Sequence, residues 1–90
     1  MPTVRRRFLV SGRVQGVFYR EGAKSEALRL GIRGWAENLP NGDVEVVAEG
    51  EANAVELLHR WLRNGPPRSV VTSVDATWET PEGVAGFSVR

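Results

Sequence analysis

Hydrophobic and polar residues alternate in five short stretches of the chain, and two stretches between them have helical spacing. The alternation predicts strands, because side chains along a strand point to opposite faces in turn. These strands lie at 7–14, 32–37, 44–49, 70–78 and 86–90. Apolar residues three and four positions apart predict one helix over 21–30 and another over 51–64.

Turn signals separate these elements and set their order. Gly31 is placed to end the first helix, and Gly65-Pro66-Pro67 follows the second. Asn41-Gly42 predicts a hairpin between the second and third strands. The order βαββαβ with a terminal strand therefore predicts an α+β fold of the ferredoxin-like type. We expect a βαββαβ sandwich whose antiparallel-rich sheet has four to five strands and carries both helices on one face.

The same patterning predicts how several side chains pack. The tryptophans are expected to be in the core or half-buried, and they are Trp35, Trp61 and Trp78. His59 is expected to be exposed on the second helix, and the arginines of 5–7 to be solvated at the start of the first strand. One face of the fourth strand is expected to carry Val70, Thr72, Val74, Ala76 and Trp78.

Composition limits the classes of protein that fit. The 90 residues predict a single domain, 1–90, and the hydrophobic fraction of 41% favours a globular fold. Cysteine is absent, which excludes disulfides, a thiol nucleophile and thiolate metal sites. No apolar run has the length of a signal peptide or a membrane span, so we expect no membrane partner, and the absence of cysteine fits a cytoplasmic protein. The net charge of +1 gives no reason to expect a nucleic-acid partner.

The stretch 12–20, Gly-Arg-Val-Gln-Gly-Val-Phe-Tyr-Arg, carries the strongest chemical signal. It joins a predicted strand to a predicted helix through a short turn that contains glycine. Such a junction presents free backbone N–H groups, and the start of the helix adds a partial positive charge. Arg20 adds a permanent cation with a planar set of donors. The stretch therefore predicts a site for a phosphate-like anion.

A second polar residue is expected beside this turn. The connection through the first helix predicts that the first and second strands are parallel, so both end at the same edge of the sheet. Asn38 follows the second strand and should lie near the turn. Its amide can hold a water molecule but is no base. Without a nearby acid or base, the site suits a substrate with an easily lost group, such as an acyl phosphate, whose leaving carboxylate has a conjugate acid of pKa about 4.

The motifs also resemble a known family, the acylphosphatases. The resemblance runs from about residue 7 to the C-terminus and rests on the stretches 12–20, 31–38 (Gly-Ile-Arg-Gly-Trp-Ala-Glu-Asn), 41–45 and 49–50. It implies that the turn binds the phosphoryl group, through Gln15, Gly16, Val17, Phe18, Tyr19 and Arg20. It further implies that Arg20 is the catalytic arginine and that Asn38 orients the attacking water.

The same resemblance implies a monomeric enzyme that uses no metal and no cofactor. Its substrate would be a small acyl phosphate, and inorganic phosphate would be its product and a competitive inhibitor. Two positions depart from the family's usual pattern: Ala36-Glu37 stands where an apolar and then a basic residue are common, and Asn41 replaces the commoner Asp. Glu37 is expected to point to the face opposite Asn38, with little effect on the site.

Two other classes of function stay open at this point. Ferredoxin-like sheets can bind single-stranded RNA through exposed aromatic residues, although the aromatic and glycine signature of that role is missing here. Acylphosphatase-like domains also begin large hydrogenase maturation proteins, where the role could be non-catalytic or the handling of carbamoyl phosphate. Those proteins carry Cys-rich zinc segments, so the absence of cysteine favours a stand-alone enzyme.

Overall fold

Two helices cover one face of a five-stranded sheet in the computed structural model, which describes residues 2–90. Met1, the first residue of the predicted domain, lies outside the described residues. The elements in chain order are β1 (Thr3–Arg13), α1 (Tyr19–Arg29), β2 (Arg33–Asn38), β3 (Val44–Glu51), α2 (Ala52–Asn64), β4 (Val70–Glu79) and β5 (Phe87–Val89). Every predicted element is present, although β1 begins four residues earlier than the alternation indicates.

Strand β3 lies at the centre of the sheet, whose order is β4-β1-β3-β2-β5. β1 and β2 both pair with β3 in the antiparallel sense, so they run in the same direction, as predicted. β5 pairs with β2 in the parallel sense. The α+β ferredoxin-like fold is therefore confirmed. Because one strand separates β1 from β2, their carboxyl ends lie about 10 Å apart at one edge of the sheet.

The hydrophobic core lies between the sheet and the helices. β3 supplies three fully buried residues to this face, Val44, Val46 and Ala48. α2 covers them with the stripe Val55, Leu58 and Leu62, and α1 contributes the small residues Ala23 and Ala27. Small side chains let α1 approach the sheet closely, so the start of this helix is held firmly at the edge where β1 ends.

A bulge in β4 overturns the predicted face of that strand. Ser11 pairs with Ser73 but Gly12 pairs with Val71, so Thr72 is an extra residue on β4. The close approach requires glycine at position 12, where φ is +125° and a Cβ would lie 2.0 Å from the Val70 oxygen. The bulge turns Val71 toward the core and leaves Val70 exposed.

Two further packing predictions, on the tryptophans and on His59, have mixed outcomes. Trp35 and Trp61 are half-buried as predicted, but Trp78 is exposed, with the guanidinium of Arg6 over its ring. The predicted exposure of His59 is wrong. His59 lies one turn after Val55 on the inner side of α2, and its ring packs against Phe8 with centroids 4.9 Å apart. Burial there lowers the pKa of His59.

The open face of the sheet, opposite the helices, carries a buried ion-pair network. The prediction that the arginines of 5–7 are all solvated is wrong, because only 2% of Arg5 is exposed. Its guanidinium lies 2.9 Å from the carboxylate of Glu79 and 3.5 Å from that of Glu49. The segment that joins β4 to β5, residues 80–86, passes over this pair, and we call it the strap.

Charge pairing holds two carboxyl groups of the network in their ionised form. Burial raises the pKa of the Glu49 carboxyl, but hydrogen bonds from strap N–H groups and the nearby guanidinium of Arg5 outweigh it, so the pKa lies below its ordinary value. Hydrogen bonds from Arg7 and Arg5 lower the pKa of Glu79. Both groups therefore stabilise the folded chain more when they are ionised.

We predict that stability falls in acid because of these two groups. Their stabilisation is complete above the unfolded pKa of about 4.5 and is lost as the pH falls toward the lower pKa values of the folded state. Urea unfolding between about pH 7 and pH 3 should show a level free energy of unfolding that drops below about pH 4.5. Glu79→Gln should reduce the slope of the free energy of unfolding against pH in this range by up to about 1.4 kcal/mol per pH unit. An equal slope in the two proteins would contradict the assignment.

Candidate anion site

A surface pocket lies where β1 ends and α1 begins. Its lining residues are Val14, Gly16, Phe18, Tyr19, Arg20 and Glu21. Four of them belong to the turn 15–20, in which the sequence predicts an anion site. Glu21 is an acidic residue in the first turn of α1 that the sequence analysis did not single out.

The backbone of the turn leaves N–H groups free to meet a ligand. α1 begins at Tyr19, and the first N–H groups of a helix have no partner inside it. The residue before the helix, Phe18, makes no side-chain cap and has φ 64° and ψ 27°. This left-handed conformation costs a non-glycine residue of order 1 kcal/mol. Gly16 also has a positive φ, of 75°. Successive bends of this kind direct backbone N–H groups into a concave surface that suits an anion.

Arg20 is held at one corner of its guanidinium. Its Nη1 donates a hydrogen bond to the main-chain oxygen of Arg90 at 2.6 Å. The N–H of Arg90 in turn donates to the oxygen of Ala36 on β2 at 2.8 Å. A guanidinium has five N–H donors, so this anchor leaves most of them available to an anion. The role of Arg90 was missed by sequence reasoning, since 70 positions separate it from Arg20 and no motif links them.

Gln15 ties the turn to the β2–β3 hairpin. Its side-chain Nε2 donates to the main-chain oxygens of Leu39, at 2.8 Å, and Asp43, at 2.9 Å. These bonds use both N–H donors of the side-chain amide, so a hydrogen bond from Gln15 to an anion would have to come from its backbone N–H. The side chain acts on the site by fixing the turn beside the end of β2.

Tyr19 and Val17 point their side chains into the protein rather than into the pocket mouth. The hydroxyl of Tyr19 donates to the main-chain oxygen of Leu62 at 2.7 Å, and burial raises the pKa of this hydroxyl. A Cβ on Gly65 would lie 2.8 Å from the ring, so the fit is tight. Val17 packs against the core. Among the residues 15–20, the side chains that remain free for a ligand are those of Phe18, which is 71% exposed, and Arg20.

Asn38 is the last residue of β2 and faces the helix-covered side of the sheet. It pairs with Val44, which pairs with Val10, so the three side chains share this face. Glu37 pairs with Glu45 on the opposite face, as the alternation predicts. The Asn38 Oδ1 is buried and has no hydrogen-bond partner among the described residues. A buried acceptor without a partner is costly, so this atom is suited to receive a donor from water or ligand.

The prediction that Asn38 lies near the turn gains support from its neighbours. Asn38 does not line the pocket, but Gln15 binds the residue that follows it, Leu39. The two polar features therefore lie on adjoining parts of one sheet edge. Over residues 2–90, no cluster of His, Asp and Glu suits a metal ion, and no helix is long and apolar enough to cross a membrane.

Known proteins resemble this chain in sequence over almost its whole length. The family model for acylphosphatase matches residues 6–89. An acylphosphatase from Thermococcus kodakarensis is 48% identical over 89 residues, which cover 99% of this chain and 98% of the relative. One from Rubrobacter xylanophilus is 53% identical, with 98% of this chain and 81% of the relative covered.

A solved structure shows the same similarity in three dimensions. An acylphosphatase from Coxiella burnetii superimposes with a TM-score of 0.94 at 41% identity. The match covers 98% of this chain and 93% of the other. The likeness therefore includes the turn, α1 and the end of β2 that form the candidate site.

We predict that Gln15→Met weakens phosphate binding by about tenfold, the effect of losing about one net hydrogen bond. Methionine keeps the length of the side chain but cannot hold the turn against the hairpin. Titration calorimetry with inorganic phosphate measures the effect. Asn41→Ala is the control, because its side chain binds Asp43 within the hairpin and does not reach the turn. Equal losses in the two variants would contradict a positioning role for Gln15.

Proposed function

The chain belongs to the acylphosphatase family, and from this we propose that the pocket around Arg20 hydrolyses the carboxyl-phosphate bond of small acyl phosphates. The observation that carries the proposal is the pairing of a partly free guanidinium with unpaired N–H groups at the start of α1. Both are donors aimed at one pocket, and donors are what a phosphoryl group requires.

Arg20 is proposed as the residue that binds the phosphoryl oxygens and stabilises the charge on them in the transition state. The backbone N–H groups of residues 15–20 bind the remaining oxygens. Because Arg90 fixes one Nη atom at 2.6 Å, the guanidinium is oriented before substrate arrives. Preorganised donors of this kind lower the barrier without the cost of reorientation during the reaction.

Asn38 is proposed to orient the attacking water. Its buried Oδ1 has no partner within residues 2–90 and can accept a hydrogen bond from that water. The water oxygen then attacks phosphorus as the bond from phosphorus to the acyl oxygen breaks. The electron pair leaves with the carboxylate, and the water protons pass to inorganic phosphate and solvent. Positioning and charge stabilisation supply the catalysis, since the leaving carboxylate needs no general acid.

The finer features of the reaction complete the proposal. We propose that hydrolysis requires no metal or cofactor and that inorganic phosphate is both product and competitive inhibitor. We also propose a monomeric, cytoplasmic protein. RNA binding is disfavoured by the open face of the sheet, because the Arg5 network and the strap occupy it where an RNA-binding sheet exposes aromatic rings.

We predict that Arg20→Ala lowers kcat/KM for benzoyl phosphate by about 10³-fold or more, since it removes the main cation at the phosphoryl group. The assay contains EDTA, so wild-type turnover also tests independence from metal. Arg29→Ala is the matched control, because Arg29 lies in the last turn of the same helix and, among residues 2–90, forms an ion pair only with Glu26. Full activity of Arg20→Ala, or no activity of the wild type, would refute the proposal.

We predict that Asn38→Ala lowers kcat by about 10²-fold, because the water loses its orientation. The inhibition constant for phosphate should stay at its wild-type value, since the phosphate-binding groups are untouched. Steady-state kinetics with benzoyl phosphate give both quantities. Weaker inhibition by phosphate in this variant would show that Asn38 acts on the phosphoryl group instead.

A further inference from the structure

We propose that Glu49 is a positioning residue for Arg20, although it does not line the pocket. It acts through the strap, residues 80–86, and through β5, which together place the oxygen of Arg90. The proposal rests on the function assigned to Arg20 above. It gives a role in the reaction to a buried carboxylate that the hydrophobic core does not use.

The first step of this connection joins Glu49 to the strap. The side chain of Glu49 has no exposed surface, and its carboxylate accepts three backbone N–H groups. The donors are Glu82 at 2.8 Å, Gly83 at 2.7 Å and Val84 at 3.3 Å. Hydrogen bonds to a charged acceptor are about twice as strong as neutral ones, so one side chain fixes the path of the strap.

The second step joins the strap to the pocket. The strap leads directly into β5, which has three residues and pairs only with β2 among the described strands. A strand this short has few contacts of its own, namely the pairing with β2 and the buried ring of Phe87, so the strap that leads into it also affects its position. The next residue, Arg90, binds β2 through its N–H and Arg20 through its oxygen. A shift of the strap therefore moves the oxygen that orients the guanidinium.

The chemistry of this position favours a carboxylate. A neutral Gln of the same shape would turn one acceptor oxygen into an NH₂ group that faces strap N–H donors. It would also remove the charge opposite Arg5, 3.5 Å away. Burying a carboxylate is unfavourable unless its hydrogen bonds and ion pairs compensate, and here most of the compensating groups lie on the strap.

The experiment compares Glu49→Gln with wild type in benzoyl phosphate kinetics. We expect KM and the inhibition constant for inorganic phosphate to rise together by about tenfold, because a guanidinium displaced by a fraction of an ångström binds the phosphoryl oxygens less well. Hydrogen exchange at the amides of Gly83 and Arg90 should become faster. Glu45→Gln is the control, because Glu45 lies on the same face of β3 and pairs with Arg7 at 2.7 Å without touching the strap.

A second pair of variants decides the matter even if Glu49→Gln does not fold. Gly83 has φ +77°, and a Cβ there would meet nothing within 4 Å, so Gly83→Ala strains the strap without a clash. Gly31→Ala is matched to it, with φ +72° and open space, but lies at the far end of α1 from Arg20. Gly83→Ala should raise the phosphate inhibition constant, and Gly31→Ala should not.

Two results would overturn the proposal: a folded Glu49→Gln protein with wild-type phosphate inhibition, or equal effects of Gly83→Ala and Gly31→Ala. If instead the proposed function is wrong, the wild-type chain does not hydrolyse benzoyl phosphate, and this outcome is distinct from the two results above. In that case calorimetry with inorganic phosphate on the same four variants still tests whether Glu49 controls the anion site.

Discussion

Antiparallel pairing of both β1 and β2 with β3 is the constraint on which the site depends. It makes β1 and β2, which flank β3, run in one direction, so the turn after β1 and the end of β2 lie at one edge of the sheet. Neither Arg20 nor Asn38 forms a site alone, because Arg20 is only a cation at the start of a helix and Asn38 is only an amide at the end of a strand. The central strand also receives the strap on its open face through Glu49, so it supports the site from both sides of the sheet.

The contrast between satisfied and unsatisfied polar groups defines where a ligand can bind. Around the pocket, the side chains of Gln15 and Tyr19 donate their hydrogen bonds to main-chain oxygens. The N–H groups at the start of α1 and the buried Oδ1 of Asn38 have no such partners among the described residues. In the proposed reaction the donors face the phosphoryl group and the acceptor faces the attacking water, which is the polarity that hydrolysis of a charged phosphoryl compound requires.

Local patterns were sufficient to predict the elements and their order, because the periods of strands and helices show in the spacing of apolar residues close together in sequence. They failed where the structure depends on contacts between distant segments. The exposed position of Val70 follows from a bulge opposite Gly12, and the burial of Arg5 follows from carboxylates supplied by β3, β4 and the strap. The roles proposed for Arg20 and Asn38 could be predicted from motifs. The Arg90 contact could not, since it exists only once β5 has docked.

The hydrogen bond between Arg20 and Arg90 also bears on the order in which the fold is completed. Contacts between residues far apart in sequence form late, because closing a long loop costs chain entropy. The two helices and the first three strands can pack before β5 docks on β2, but the Arg20 guanidinium then lacks its contact with Arg90. The orientation of the Arg20 guanidinium is therefore set late, by the docking of β5 and not by the formation of α1 itself.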